Sequence, residues 1–237
     1  MSEAILIGTR GWDHDAWQGG FYPAELPAEW RFCYYSNLLR AVLVPAEAWA
    51  GATPAAVAQW AEDSDAGFRF VLEPPPLASA MELAAFLRLV EPIASQTDGF
   101  LASAASLEPA QFDMLLAGLA RLHPVCVDLP AGGPSPEVSA LLAAHRVGRC
   151  WHCVSEDMPA PGGALLVALS AAGPAPATHK DVGSVAVGGS RERQLRRTLE
   201  ALARWQAPGG RAALFFEGPG AAEAARTART LAELMGI

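Results

Sequence analysis

Charged and ionisable side chains stand at or just beyond the ends of several short apolar runs in this chain. They are Arg10, Glu73, Asp128, His152 and Glu217. Brought together, three carboxylates, a guanidinium and an imidazole could act as general acids and bases or bind a hard divalent cation through oxygen. The simpler interpretation is that the two glutamates are solvated charges paired with Arg10. Glu73, Asp128, Glu217 and His152 are therefore candidate catalytic residues.

A second group, Cys150-Trp151-His152-Cys153, contains the thiol and imidazole side chains that bind zinc. On a strand Cys150 and His152 face one way and Cys153 faces the other. The sequence offers no second Cys or His pair at zinc-finger spacing to complete the ligands. We therefore expect buried strand residues and no metal ion. The same alternation argues against a Cys153 nucleophile activated by His152.

The segment after the first apolar run, residues 9–23, carries candidates for ligand binding. The guanidinium of Arg10 could face an anion, and His14 lies between two aspartates that could adjust its protonation. Trp12 and Trp17 could stack on a ligand, although such tryptophans more often anchor a loop. We expect Arg10, Trp12, His14 and Trp17 to line one wall of a cleft.

Glycine-rich segments give weaker signals. Gly188-Gly189-Ser190 precedes an arginine-rich segment and could bind phosphate at a helix N-terminus, or could be an ordinary turn. The sequence has no P-loop, and Gly8-x-x-Gly11 lacks the third glycine and the downstream acid of a dinucleotide site. We therefore expect no cofactor.

The elements that must position these residues form a regular alternation of short apolar runs and helix-like segments. There are eight such runs, and most of them are apolar on both faces, as parallel strands covered by helices require. The predicted strands are 4–8, 40–44, 68–73, 99–102, 124–129, 149–154, 164–169 and 212–216. The predicted helices are 28–39, 54–62, 80–95, 108–122, 136–144, 190–206 and 221–235.

This alternation favours an α/β fold of the TIM type, a (β/α)₈ barrel closed by its first and last strands, over an open doubly wound sheet. The link 155–163 is too rich in proline and glycine for a full helix, so one crossover helix is expected to be degenerate. The 237 residues suit one domain spanning 1–237.

Composition excludes several classes of function. The formal net charge of -8, from 17 basic and 25 acidic residues, disfavours non-specific nucleic-acid binding. The uncharged stretch 158–178 is broken by proline and glycine, so we expect a buried strand and no membrane partner. The first residues lack the basic region of a secretory signal, which predicts a cytoplasmic protein with reduced cysteines. The oligomeric state stays open.

The segment Ile7-Gly8-Thr9-Arg10-Gly11-Trp12, followed by Trp17 and by Phe21-Tyr22-Pro23, resembles the opening signature of the YecE-like family, a domain of unknown function. Trp60-Ala61-Glu62, Phe68-Arg69-Phe70 and Ala213-Leu214-Phe215-Phe216 are similar to later segments of that family. The resemblance implies a TIM-type barrel over most of the chain. It implies no reaction.

Departures from the family pattern fall at the predicted strand ends. Glu73 and Glu217 stand where the resemblance leads one to expect Lys and Asn, and Pro45, Pro130 and Ala168 fall in segments where it leads one to expect polar residues. The chain thus resembles a diverged member. We expect a cleft that binds a small ligand, for which an anion is one candidate, or alternatively a non-catalytic scaffold or interaction protein that has lost the family's activity. Whether it is an enzyme is left open.

Overall fold

The computed structural model describes residues 4–104, 107–129, 133–153, 156–160, 163–173, 185–206 and 209–237. Within these ranges parallel strands alternate with helices. The strands are β1 (Leu6–Arg10), β2 (Ala41–Val44), β3 (Arg69–Leu72), β4 (Thr97–Ser103), β5 (Val125–Asp128), β6 (Gly148–Arg149), β7 (Trp151–His152), β8 (Leu165–Ala171) and β9 (Arg211–Glu217). The α-helices are α1 (Arg31–Leu38), α2 (Pro54–Glu62), α3 (Ala80–Val90), α4 (Pro109–Leu119), α5 (Pro136–His145), α6 (Val185–Gln206) and α7 (Ala221–Met235).

The strands form one parallel sheet in the order β6-β5-β4-β3-β2-β1-β9-β8-β7. Its centre joins the two ends of the chain, because β1 pairs with β9, with Ile7 opposite Leu214. Its two edges, β6 and β7, are consecutive pieces of one stretch separated only by Cys150, and they pair with β5 and β8. Residues 148–152 therefore bring the edges together, and the predicted TIM-type barrel is confirmed.

Backbone hydrogen bonds next to β6 and β7 help to close this seam. The Cys150 amide donates to the Val127 carbonyl at 2.7 Å, and the Cys153 amide donates to the Leu169 carbonyl at 3.0 Å. Above the short β6, the Val167 amide of β8 donates to the Cys126 sulfur of β5 at 3.4 Å. A cysteine side chain therefore accepts this strand amide in place of a backbone carbonyl.

Some predicted helix boundaries were wrong. The segment predicted as 80–95 leaves the α-helix at Val90 and continues as a 3-10 turn, Glu91–Gln96, whose second residue is proline and cannot donate to the helical ladder. The helix predicted from residue 190 begins at Val185. Gly188 and Gly189 are therefore helical, because glycine costs only about 1 kcal/mol in a helix. Both interpretations of this segment, a turn and a helix N-terminus that binds phosphate, were wrong.

The degenerate crossover was predicted correctly. Residues 156–160, the described part of the link between β7 and β8, form neither helix nor strand. Residues 174–184, in the long segment predicted before the next helix, lie outside the described part of the chain, as does Pro130. Among the described residues, no helix is both long enough and apolar enough to cross a bilayer.

Two apolar cores flank the sheet, as the two-faced apolar runs predict. The larger packs the outer face of the strands against the helices. The smaller fills the barrel itself, and it includes Leu43, Val71, Leu101, Cys126, Cys150, Val167, Leu169 and Phe215. The barrel interior is therefore packed and apolar up to the layer at its carboxyl end.

Candidate functional site

Alternation along the strands places polar side chains in one layer above the apolar interior. Phe215 lies inside the barrel, so Glu217, two residues further on, faces the same way. The same step leads from Leu101 to Ser103 and from Cys150 to His152. These strand ends surround a cavity of about 430 Å³, the mouth cavity, lined by Arg10, Ala46, Glu73, Pro74, Leu101, Ser103, Asp128, His152, Leu169 and Glu217. All four candidate catalytic residues and Arg10 line it.

Two glutamates hold the guanidinium of Arg10. Its Nε and Nη2 donate to the two carboxylate oxygens of Glu73, both at 2.7 Å. Its Nη1 and Nη2 donate to the carboxylate of Glu47 at 2.8 and 2.9 Å. A third carboxylate, of Glu217, lies 3.7 Å from Nε. The pairing predicted between Arg10 and Glu73 is confirmed, and four of the five N–H groups of Arg10 are engaged.

These contacts set the charges around the mouth cavity. The hydrogen bonds to Glu73 raise the pKa of Arg10 further above its ordinary value, against the opposing effect of burial. The hydrogen bond from Arg10 lowers the pKa of Glu47. Burial raises the pKa of Glu217; Arg10 lowers it by less, and the charges of Glu73 and Asp128 add to the rise. Glu217 therefore keeps its proton to a higher pH than an ordinary glutamic acid.

A histidine–aspartate pair forms another part of the cavity wall. The Nε2 atom of His152 lies 2.9 Å from Oδ1 of Asp128, within hydrogen-bond distance, and each side chain is 36% exposed. The Cys150 sulfur lies near both, such that the three ligand-type atoms are within 4.8 Å of one another. Cys150 itself is buried, and burial raises the pKa of its thiol well above the ordinary value.

Three residues predicted to bind ligand lie away from the mouth cavity. Trp17 is buried at 3% exposure, and Trp12 packs its ring against Phe32 at a centroid distance of 4.7 Å. His14 stacks on Trp17 and accepts the Ala16 amide on its Nδ1. None of the three is among the residues that line the cavity. Their ligand-binding role stays a prediction, and the contacts shown here anchor the loop.

Two further strand-end residues face the helices. Thr9 is fully buried on the outer side of β1, where its amide donates to the Tyr35 hydroxyl at 3.0 Å. Ser170 lines a second cavity of about 520 Å³ beneath α6 and α7. That cavity lies on the helix side of the sheet at the carboxyl ends of β8 and β9, since Ala172, Gly173 and Gly220 also line it, and it is separate from the mouth cavity.

Sequence reasoning missed two residues of the site. Glu47 lies in a 3-10 turn, Ala46–Trp49, that directly follows β2, and nothing in its spacing predicts that the turn folds over Arg10. Cys150 is buried as predicted, although it lies between β6 and β7 and not within a strand, and its position beside Asp128 depends on strand pairing. Side chains alternate between the two faces of a strand, so placing the fifth and sixth predicted strands side by side could have suggested that contact.

Comparison with known proteins places this architecture in a family. The sequence model described as "Protein of unknown function DUF72" matches residues 6–237, nearly the whole chain. The chain belongs to the DUF72 family. This is the same family as the YecE-like one that the opening signature resembles. Among curated proteins, no relative matches the chain.

Solved structures of DUF72 proteins share the fold. A DUF72 family protein from Enterococcus faecalis superposes with a TM-score of 0.67 at 16% identity, over 97% of this chain and 95% of its own. One from Thermotoga maritima gives a TM-score of 0.65 at 14% identity, over 98% and 100%. At this identity the likeness establishes the barrel only, so function has to be argued from the mouth cavity.

Proposed function

We propose that this DUF72 barrel binds a small polar molecule, neutral or positively charged, in its mouth cavity. The observation that carries the proposal is the convergence of six polar side chains from six strands' ends on one cavity above a packed apolar floor. The position is the one at which barrel proteins build their sites. The volume of about 430 Å³ lies within the range of small-molecule pockets.

The charge of the cavity argues for a neutral or cationic ligand in place of the anion expected from the sequence. Arg10 would reach an anion only if Glu73 or Glu47 released its guanidinium, because four of its N–H groups are already bonded. Three carboxylates line the cavity against this one guanidinium. An anion therefore meets repulsion that is not offset, whereas an amine or a hydroxyl group finds acceptors.

A screen by thermal unfolding tests the proposal. The compounds are small amines, polyols, and carboxylated or phosphorylated molecules, in a buffer containing a chelator. A ligand at 100 times its Kd stabilises the native state by about 2.7 kcal/mol, which raises the melting temperature measurably. Ala46→Phe would fill the cavity, since Ala46 is part of its lining, and Ala55→Phe is the matched control on the exposed face of α2.

Each outcome of the screen favours a different interpretation of the mouth cavity. Amines or polyols that stabilise the native protein and Ala55→Phe, but not Ala46→Phe, support the proposal. Stabilisation by anions alone would return the site to the anion-binding interpretation centred on Arg10. If no class stabilises the protein, the alternative of a non-catalytic scaffold is favoured, because an interaction protein does not need a functional mouth cavity.

A further inference from the structure

We propose that Asp128, Cys150 and His152 bind a transition-metal ion of the zinc type at the wall of the mouth cavity. Among the described residues, these three offer a carboxylate oxygen, a sulfur and an imidazole nitrogen within 4.8 Å of one another. The inference goes beyond the proposed small-molecule ligand and does not require it, since all three ligands come from the protein.

The fold brings these residues together through strand pairing that chain spacing does not show. In the pairing of β5 with β6, Cys126 lies opposite Gly148 and Val127 opposite Arg149. Continued by one residue, the register places Asp128 beside Cys150. His152 follows two residues later and faces the same way. Cys153 packs against the outer core, so it is excluded from the site.

The donor set selects the class of metal. Thiolate, imidazole and carboxylate are all zinc ligands, with bond lengths of about 2.0 to 2.3 Å, so tetrahedral ligands lie about 3.3 to 3.8 Å apart. The widest separation here is at most 4.8 Å, so side-chain movements of about 1 Å would bring the three atoms into that range. A thiolate disfavours Mg²⁺ and Ca²⁺, which prefer oxygen.

The electrostatics of the cavity also favour a cation. Arg10 is bonded to Glu73 and Glu47, so it leaves Asp128 and Glu217 without a full counter-charge. An ion bound by both side chains would replace the hydrogen bond between His152 and Asp128. Because three protein ligands leave one tetrahedral position open, and the mouth cavity adjoins them, the site has the composition of a catalytic rather than a structural zinc centre.

Cobalt titration of the chelator-treated full-length chain tests the site. Co²⁺ has the same ligand preferences as zinc in such sites and gives visible absorption, and a thiolate ligand adds a charge-transfer band in the near ultraviolet. We expect both bands to saturate at one ion per chain and to disappear when Zn²⁺ is added. Cys150→Ser should abolish the thiolate band. Cys153→Ser, which removes a thiol from the other face of the same stretch, should leave it unchanged.

His152→Gln and Asp128→Asn provide variants that keep the buried thiol. Each should weaken Co²⁺ binding by about 100-fold or more, beyond the 10- to 100-fold loss typical of residues that only orient a ligand. Far-ultraviolet circular dichroism checks that each variant is folded. If Cys150→Ser does not fold, the Co²⁺ titration of His152→Gln tests the proposal in its place. The proposal is overturned if the native chain shows no thiolate band up to about 1 mM Co²⁺, or if the band survives in Cys150→Ser or His152→Gln. Because the titration contains no small molecule, its failure leaves the proposed binding function standing.

Discussion

The pair between Arg10 and Glu73 offers a quantitative test of how the mouth cavity is held together. The two side chains are 28% and 14% exposed, so the pair is intermediate between surface pairs, worth about 0 to 1 kcal/mol, and buried pairs, whose disruption costs about 3 to 5 kcal/mol. Arg10→Ala leaves the Glu73 carboxylate with the Ala46 amide as a donor, at 3.2 Å. We expect it to cost about 3 kcal/mol of unfolding free energy.

The reverse substitution should cost less. In Glu73→Ala, Arg10 keeps both hydrogen bonds to Glu47 and the nearby charge of Glu217. The loss is then that of one charged hydrogen-bonded contact, about 1.5 kcal/mol. Once Arg10 has been removed, removing Glu73 as well relieves an unpaired acid and should recover about 1 kcal/mol, so the double variant should cost about 2 kcal/mol. The coupling free energy is therefore about 2.5 kcal/mol.

Urea unfolding followed by circular dichroism measures all four proteins, with equal m-values as the condition for comparing them. Arg40→Ala is the matched control, because Arg40 pairs with Asp65 and both side chains are more than half exposed. It should change stability by no more than about 0.5 kcal/mol. The reasoning fails if Arg10→Ala is as mild as this control, or if Glu73→Ala proves the more damaging of the two.

Further predictions concern pH and the packing of β1. Glu217 has a raised pKa in the native state, so the unfolded chain loses that proton first and stability falls as pH rises through this window. Glu217→Gln should therefore gain stability relative to the unsubstituted protein as pH rises above about 4, the ordinary pKa of a glutamic acid, with chelator present. A stability difference that does not change with pH would contradict the raised pKa. Gly8→Ala places a Cβ on the carbonyl oxygen of Ala41, and should cost about 3 kcal/mol or more in urea unfolding. Tyr35→Phe removes the acceptor of the Thr9 amide and should cost about 1 to 3 kcal/mol in the same assay, whereas a neutral result would mean that Thr9 finds another partner.

The sequence predicted the barrel because few folds can bury strands that are apolar on both faces. Each strand must be buried on both sides, and the alternation of strands with helices leaves a closed or doubly wound parallel sheet. Helix boundaries were predicted less accurately where single residues act against the hydrophobic pattern of the helix. Pro92 ends α3 early, and Gly188 and Gly189 are helical despite their low propensity. These are effects of single residues that a pattern over ten or more residues averages out.

The candidate site was predictable in its membership but not in its pairing. The alternation of side chains along each strand is enough to place four residues at one end of the barrel, namely Glu73, Asp128, His152 and Glu217. Which of them meet depends on register between strands that are far apart in the chain, as with Asp128 and Cys150. Glu47 depends on the path of a turn, which follows no period.

The family signature and the mouth cavity carry different kinds of information. Gly8 must lack a side chain so that β1 can approach Ala41, and Gly11 adopts a φ of 73° that favours glycine. Trp17 is buried, and the Tyr22 hydroxyl donates to the backbone carbonyl of Trp12. These residues hold the opening loop on the barrel, and none of them lines the mouth cavity.

Arg10 is the exception within that signature, since it alone reaches the cavity from the opening segment. Its charge is matched there by Glu73 and Glu47, and Glu217 lies near it. Two of these carboxylates, those of Glu73 and Glu217, stand where the resemblance to the family leads one to expect lysine and asparagine. The guanidinium and the carboxylates in contact with it form a self-consistent set, because either alone would leave a partly buried charge without a partner. The charge of the mouth cavity, more than the family, should therefore guide the choice of ligands to test.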